Sequence, residues 1–304
     1  MTTRPALLAA TLASCCLWTS AARAETLMPP DPAPADGEVA SLIAGWGFPV
    51  PNPPGSDLKI DGQVEWGALS VLTHKIQYGS QGTVFDYVYD GRQDTLFPFQ
   101  RLQAGLTFGE RHKWAFLYQP IDLRTQTVLS DDERVEEVTF RRGTPLDIRY
   151  GFDAYRTSYL YDFDLDPDRE LALGLSLQIR NAISVFSSGN GEQRVVRTDL
   201  GPVPLLKFRA RQPMGGRAWW ATDIDGSYAT SAGFNGVDFP FEGALLDASL
   251  RTGLSLSPNY DVFANLRYLG GGAKGTERIK QPFSDGFAEN WLQTLTVSFG
   301  IGFR

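Results

Sequence analysis

From Asp57 onward, apolar and polar positions alternate with a period of two, the pattern of strands whose two faces meet different surroundings. In the last segment Trp291, Gln293, Leu295, Val297, Phe299, Ile301 and Phe303 share one face, while Thr294, Thr296, Ser298, Gly300 and Gly302 share the other. Leu58, Ile60, Val64, Trp66 and Ala68 alternate with Lys59, Asp61, Gln63, Glu65 and Gly67, and Leu171 to Ile179 alternate with Ala172 to Arg180. Ala244 to Leu256 repeat the pattern. Helical spacing is nowhere comparable. One stretch, about Asp147 to Phe163, changes phase: Ile148, Tyr150 and Phe152 have one parity, Tyr155, Tyr159 and Tyr161 the other. That predicts a bulge near Asp153 or two shorter strands.

The connections alternate as well. Tight turns are predicted at Gly109–Lys113, Leu165–Asp168, Pro213–Gly216 and Ser257–Asn259. Longer links are predicted at about Thr73–Leu96, Ser130–Leu146, Ser187–Gly201, Ala229–Phe241 and Gly270–Ala288. Strict alternation of short and long connections predicts an all-β chain, a transmembrane antiparallel up-and-down β-barrel. Five loops and four turns give about ten strands, with eight or twelve as alternatives. Several segments exceed the ~9–11 residues that cross a bilayer at a tilt.

The polar face carries many charges: Asp61, Glu65, Arg101, Arg124, Arg149, Arg156, Arg180, Lys207, Arg209, Arg217, Asp223, Asp225, Asp247, Arg251 and Arg267. Unpaired in a dry core each would cost several kcal/mol, whereas ions of both signs can pair in a narrow lumen. The expected lining is therefore either a charge-paired plug or a constricted pore biased towards anions. The apolar face carries rings near strand ends, namely Phe108, Trp114, Tyr161, Phe163, Trp220, Tyr228, Tyr268, Trp291 and Phe303. Such rings suit the headgroup level and predict aromatic girdles.

The first 24 residues change the picture of where the chain goes. Arg4, the apolar run Pro5–Trp18 and Ala22-Arg23-Ala24 have the form of a cleavable export signal. Cleavage after Ala24 removes Arg4 and Arg23, taking the net charge from −7 to −9, and removes Cys15 and Cys16, the only cysteines. Leu12-Ala13-Ser14-Cys15 offers a second reading, a lipoprotein cleavage site. Residues 25–56 hold eight prolines and read as an extended periplasmic segment, followed by the barrel over 57–304. A pI near 5.0 and the lack of a basic stripe exclude nucleic acid as a partner.

Export signal, alternating segments and the closing strand Leu295–Phe303 together resemble the outer-membrane β-barrel class of Gram-negative bacteria. The resemblance covers about 57–304 and is architectural. It implies residence in the outer membrane among lipid and lipopolysaccharide, and a terminal aromatic strand read by the barrel-assembly machinery. Arg304 departs from that pattern by following Phe303.

Candidate chemistry is sparse. His112, between Arg111 and Lys113, reads as a solvated turn residue. His74, with Ser70 and Thr73 near it in sequence, is the one candidate base for a lipid A deacylase-like hydrolase. No nucleophile motif accompanies it. Omptin proteases resemble the chain in strand count, but their aspartate-x-histidine pair is missing, since Leu72 precedes His74 by two. Asp131, Asp132, Glu133, Glu136 and Glu137 form an acidic loop without EF-hand spacing. Gly270–Thr276 lacks the phosphate-loop order and reads as a flexible loop. No cofactor or metal is expected. The primary reading is a non-enzymatic barrel serving structure, surface interaction or narrow conduction. The alternatives are the His74 lipid-modifying enzyme and a soluble periplasmic β-protein with an apolar ligand.

Overall fold

The computed structural model describes residues 52, 56–231, 240–276 and 285–304. The expected export signal and nearly all of the proline-rich segment lie outside them. Thirteen strands follow in chain order: β1 Leu58–Tyr78, β2 Phe85–Asp86, β3 Leu96–Phe108, β4 His112–Val128, β5 Glu133–Val135, β6 Val138–Phe140, β7 Pro145–Asp162, β8 Glu170–Ser188, β9 Arg194–Gly215, β10 Ala218–Thr230, β11 Phe241–Ser257, β12 Tyr260–Thr276 and β13 Phe287–Phe303. Ten of them, β1, β3, β4 and β7 to β13, form one antiparallel sheet, which β13 closes by pairing with β1. The short β2 adds to β1 inside a loop, and β5–β6 form a separate hairpin. The chain is an all-β, closed ten-stranded antiparallel barrel.

Closure runs from Gly62 opposite Phe303 to Tyr78 opposite Ala288. At this seam a Cβ on Gly67 would stand 2.1 Å from the Val297 carbonyl oxygen, so only glycine fits. The first tight turn likewise needs left-handed backbone, with φ of 56° at Gly109 and 62° at Glu110. The four tight turns fall where expected. Two loops do not. β8 and β9 are joined by residues 189–193 alone, and Gly270–Thr276 is part of β12, paired with β13 and β11.

Outward positions form an apolar belt: Trp66, Leu102, Phe116, Leu171 to Ile179 on odd numbers, Leu206, Leu250, Leu266, Val297 and Phe299 are exposed. The opposite faces enclose the buried ions. An apolar exterior around a charged interior is the arrangement of a barrel solvated by hydrocarbon, and it excludes the soluble β-protein, which would bury its leucines.

The bulge expected near Asp153 is absent. β7 keeps one register with β4 and β8 throughout, and every even residue from Leu146 to Asp162 faces inward. The phase change seen in the sequence is a change of lumen contents. Ile148, Tyr150 and Phe152 belong to an apolar upper half, Arg156 and Asp162 to a charged lower half. A bulge does occur in β1, between Val71 and Thr73, where the inward parity passes from odd to even.

Candidate functional site: a two-storey lumen

The lower storey, towards the tight turns, is a lattice of buried ions. Asp247 accepts from Arg267 through both oxygens at 2.6 Å and pairs with Arg156 at 2.9 Å. Arg156 also meets Asp225 at 2.5 Å and Gln178 at 2.6 Å. Lys207 bridges Asp223 at 2.6 Å and Asp225 at 2.7 Å, and Ser176 donates to Asp225. Arg209 reaches Glu170 at 3.3 Å and Asp223 at 3.7 Å, and Arg251 lies 3.9 Å from Asp223 and bonds Gln63. Around Glu65, Arg101 pairs at 3.3 Å while Asn265 and Ser298 donate at 2.8 and 2.9 Å. Arg267 donates to Gln119 as well. Each of the ten barrel strands supplies a member of this lattice, which therefore spans the cross-section.

The sequence-derived lumen residues divide accordingly. Asp61, Glu65, Arg101, Arg156, Arg180, Lys207, Arg209, Asp223, Asp225, Asp247, Arg251 and Arg267 point inward. Arg124 and Arg149 do not: both flank Asp122 on the outer face of β4 and β7, at 2.9 and 2.8 Å. The parity of Arg149 was inferred from a shifted phase that β7 does not have. Arg217 sits in the β9–β10 turn rather than on a wall. The lattice residues missing from the sequence-derived set are the charged Glu170 and the neutral Gln63, Gln119, Ser176, Gln178, Asn265 and Ser298. The only sequence signal of the neutral ones was the same parity.

The nine expected girdle rings all point outward. Phe108, Trp114, Tyr161, Phe163, Trp220 and Phe303 ring the turn end, with Tyr228 and Trp291 towards the loop end and Tyr268 opposite Leu295 within the belt. His112 is not a solvated turn residue. It opens β4 on the outer face, stacked on Phe108 with Nδ1 2.7 Å from Tyr159 Oη.

The upper storey is apolar and capped. Loop 79–95 turns into the barrel mouth, burying Phe85, Tyr87, Val88 and Gln93 against Ile76, Tyr150 and Phe186. The β5–β6 hairpin covers it, with Thr83 donating to the Arg134 carbonyl, Glu136 to that of Tyr78, and Arg197 pairing with Glu136. His74 lies fully buried beneath this cap. Its ring stacks on Tyr87 at 4.1 Å, and Nδ1 meets Gln93 at 2.8 Å. Ser70 and Thr73 lie on the outer face, so neither is a nucleophile for it. The acidic loop is likewise structured. Asp132 is held by Arg141 and the Arg142 N–H, and Glu137 by Arg134. Glu133 is buried, and that burial, reinforced by Asp90 and Asp131, pushes its carboxyl up to about 7. Among the described residues no cluster of three or more acidic, histidine or cysteine side chains is placed to hold a metal.

Fold and surface together define a β-barrel of the outer-membrane class. No family model and no curated protein matches the chain. Solved structures with similar architecture include the outer membrane protease OmpT of Escherichia coli, at TM-score 0.46 and 8% identity, covering 81% of this chain and 96% of that one. Ail of Yersinia pestis in complex with sucrose octasulfate follows at 0.32 and 12%, covering 80% and 97%, and the toluene transporter TodX of Pseudomonas putida at 0.32 and 8%, covering 83% and 90%. Likeness at this level is one of fold.

Proposed function

We propose that the protein is a non-enzymatic barrel of the bacterial outer membrane that binds rather than conducts. The lower storey is the plug and the upper storey the working chamber. The observation that carries this reading is the ion lattice to which all ten barrel strands contribute. Each lattice cation already meets a carboxylate, so no free positive charge is left to draw an anion through. The His74 ring is hydrogen-bonded by Gln93 and Asn290, neither of which is a nucleophile, and the Asp86 carboxylate acts on it through charge alone, without a hydrogen bond that would orient it as a base. Planar-bilayer recording of the folded chain tests the reading. A silent bilayer is expected, and well-resolved steps that disappear on neutralising Arg156 would overturn it.

A further inference from the structure

The wall of the barrel is not paired everywhere. β9 and β10 are in register only from Gly215 opposite Ala218 to Leu206 opposite Gly226. Above that level β9 continues through residues 194–205, bound among the described residues to β8 alone. β10 continues through residues 227–230, bound among the described residues to β11 alone. Among the described residues, two strand edges therefore face each other without a ladder. Such edges are costly in hydrocarbon and persist only where they line a cavity. Pro202 and Pro204 lie on the β9 edge, and proline, which has no N–H to offer, is the residue suited to an unpaired edge.

A cavity is there. About 550 Å³ opens between the two edges, within the ~300–1,000 Å³ of small-molecule sites. Its floor and back are Phe152, Leu245, Leu269 and Leu292, and its room comes from Gly243, Gly271, Gly272 and Ala273. The opening has a definite height. Pro204 and Pro202 stand opposite Leu177 and Ile179 on β8, just below the level where the outward polar pair Asn181 and Asp153 interrupts the apolar belt. Tyr228 stands on the other edge. The mouth thus lies where hydrocarbon gives way to headgroups. Among the described residues one cation lines the cavity at that same level: Arg180, opposite Gly201, paired with Asp199 at 3.1 Å, its buried Nε without an acceptor.

We infer that this chamber is a binding site for a single-chain anionic amphiphile, taken from the outer leaflet through the gap between β9 and β10. The acyl chain lies among Phe152, Leu245, Leu269 and Leu292, and its carboxylate meets Arg180. The inference rests on the binding reading above and names its ligand and its route.

The test uses the full chain folded into phospholipid vesicles, with diazirine-labelled palmitate as probe and diazirine-labelled hexadecanol as its uncharged counterpart. Labelling that unlabelled palmitate competes away is expected at 202–204, 227–229, 243–245 and 271–273. Gly243→Leu places a side chain in the cavity where a Cβ meets only ordinary contacts at 3.5 and 3.6 Å. It is expected to cut the competable labelling at least tenfold. Arg180→Gln should weaken palmitate about tenfold and change hexadecanol less than twofold. Labelling that is not competed and spreads over the belt, as at Leu173 and Leu250, would overturn the site, and a hexadecanol loss equal to that of palmitate would overturn the headgroup assignment. Bilayer recording is independent of these outcomes, so a silent barrel that binds no palmitate would sink this inference alone.

Discussion

One strand crosses two different interiors. Above Ala154, β7 sends Ile148, Tyr150 and Phe152 into a hydrophobic cluster; below it the same parity sends Arg156, Ser158 and Asp162 into the ion lattice. The two storeys are held by different physics. The upper one is cohesive through contact and burial, so it can lose a side chain locally and leave a hole. The lower one holds charges whose desolvation is offset only while every partner is present. The apolar storey tolerates an empty chamber, whereas the ionic storey is a closed set.

That difference is most sharply exposed at Asp247. Asp247→Ala leaves Arg156 and Arg267 facing each other without their shared carboxylate, and breaking a buried pair in this way costs about 3–5 kcal/mol. A large fall in the urea unfolding midpoint is expected; an unchanged midpoint would show that the lattice is hydrated and open. The matching change upstairs is Leu123→Ala, at a residue 1% exposed. It is expected to cost about 2–5 kcal/mol through transfer and cavity terms, with no dependence on salt. A salt-sensitive loss there would blur the two storeys into one.

A subtler contrast lies in the cap. The Glu133 carboxyl titrates near 7 rather than at its ordinary 4.5, through burial first and then Asp90 and Asp131. Its folded value is raised, so the docked cap is fully favoured below about 4.5 and loses that contribution as pH rises through about 7. Amide protection factors in 129–144, taken relative to the intrinsic base-catalysed rate at each pH, should therefore be lower at pH 8 than at pH 6, and Glu133→Gln should flatten the difference. Equal protection factors at both pH values in the wild-type chain would remove Glu133 from the account.

Much of this was legible in the sequence because a barrel wall obeys parity, and Leu171–Ile179 or Leu295–Phe303 state it without ambiguity. The charged lumen was legible for the same reason. The lumen's two storeys were not, because an inward Phe152 and an outward Tyr155 look alike until the strand's neighbours fix which face is which. That single misreading of β7 produced both the expected bulge and the assignment of Arg149 to the lumen, when it lies on the outer face. The gap above Leu206 could not be read at all. Pairing is a relation between strands, and Pro202 and Pro204 showed only that some edge was near.

The smallest expected effect closes the comparison from outside the barrel. Arg124 pairs with Asp122 at 2.9 Å, as closely as many lattice pairs, yet it is two-thirds exposed on the outer face. In water such a pair gains little, because solvent screens it and side-chain ordering opposes it. Arg124→Ala should leave both the urea midpoint and the bilayer recording indistinguishable from wild type. If it instead destabilised as strongly as Asp247→Ala, distance rather than desolvation would govern these ion pairs, and the division between the two interiors would lose its physical basis.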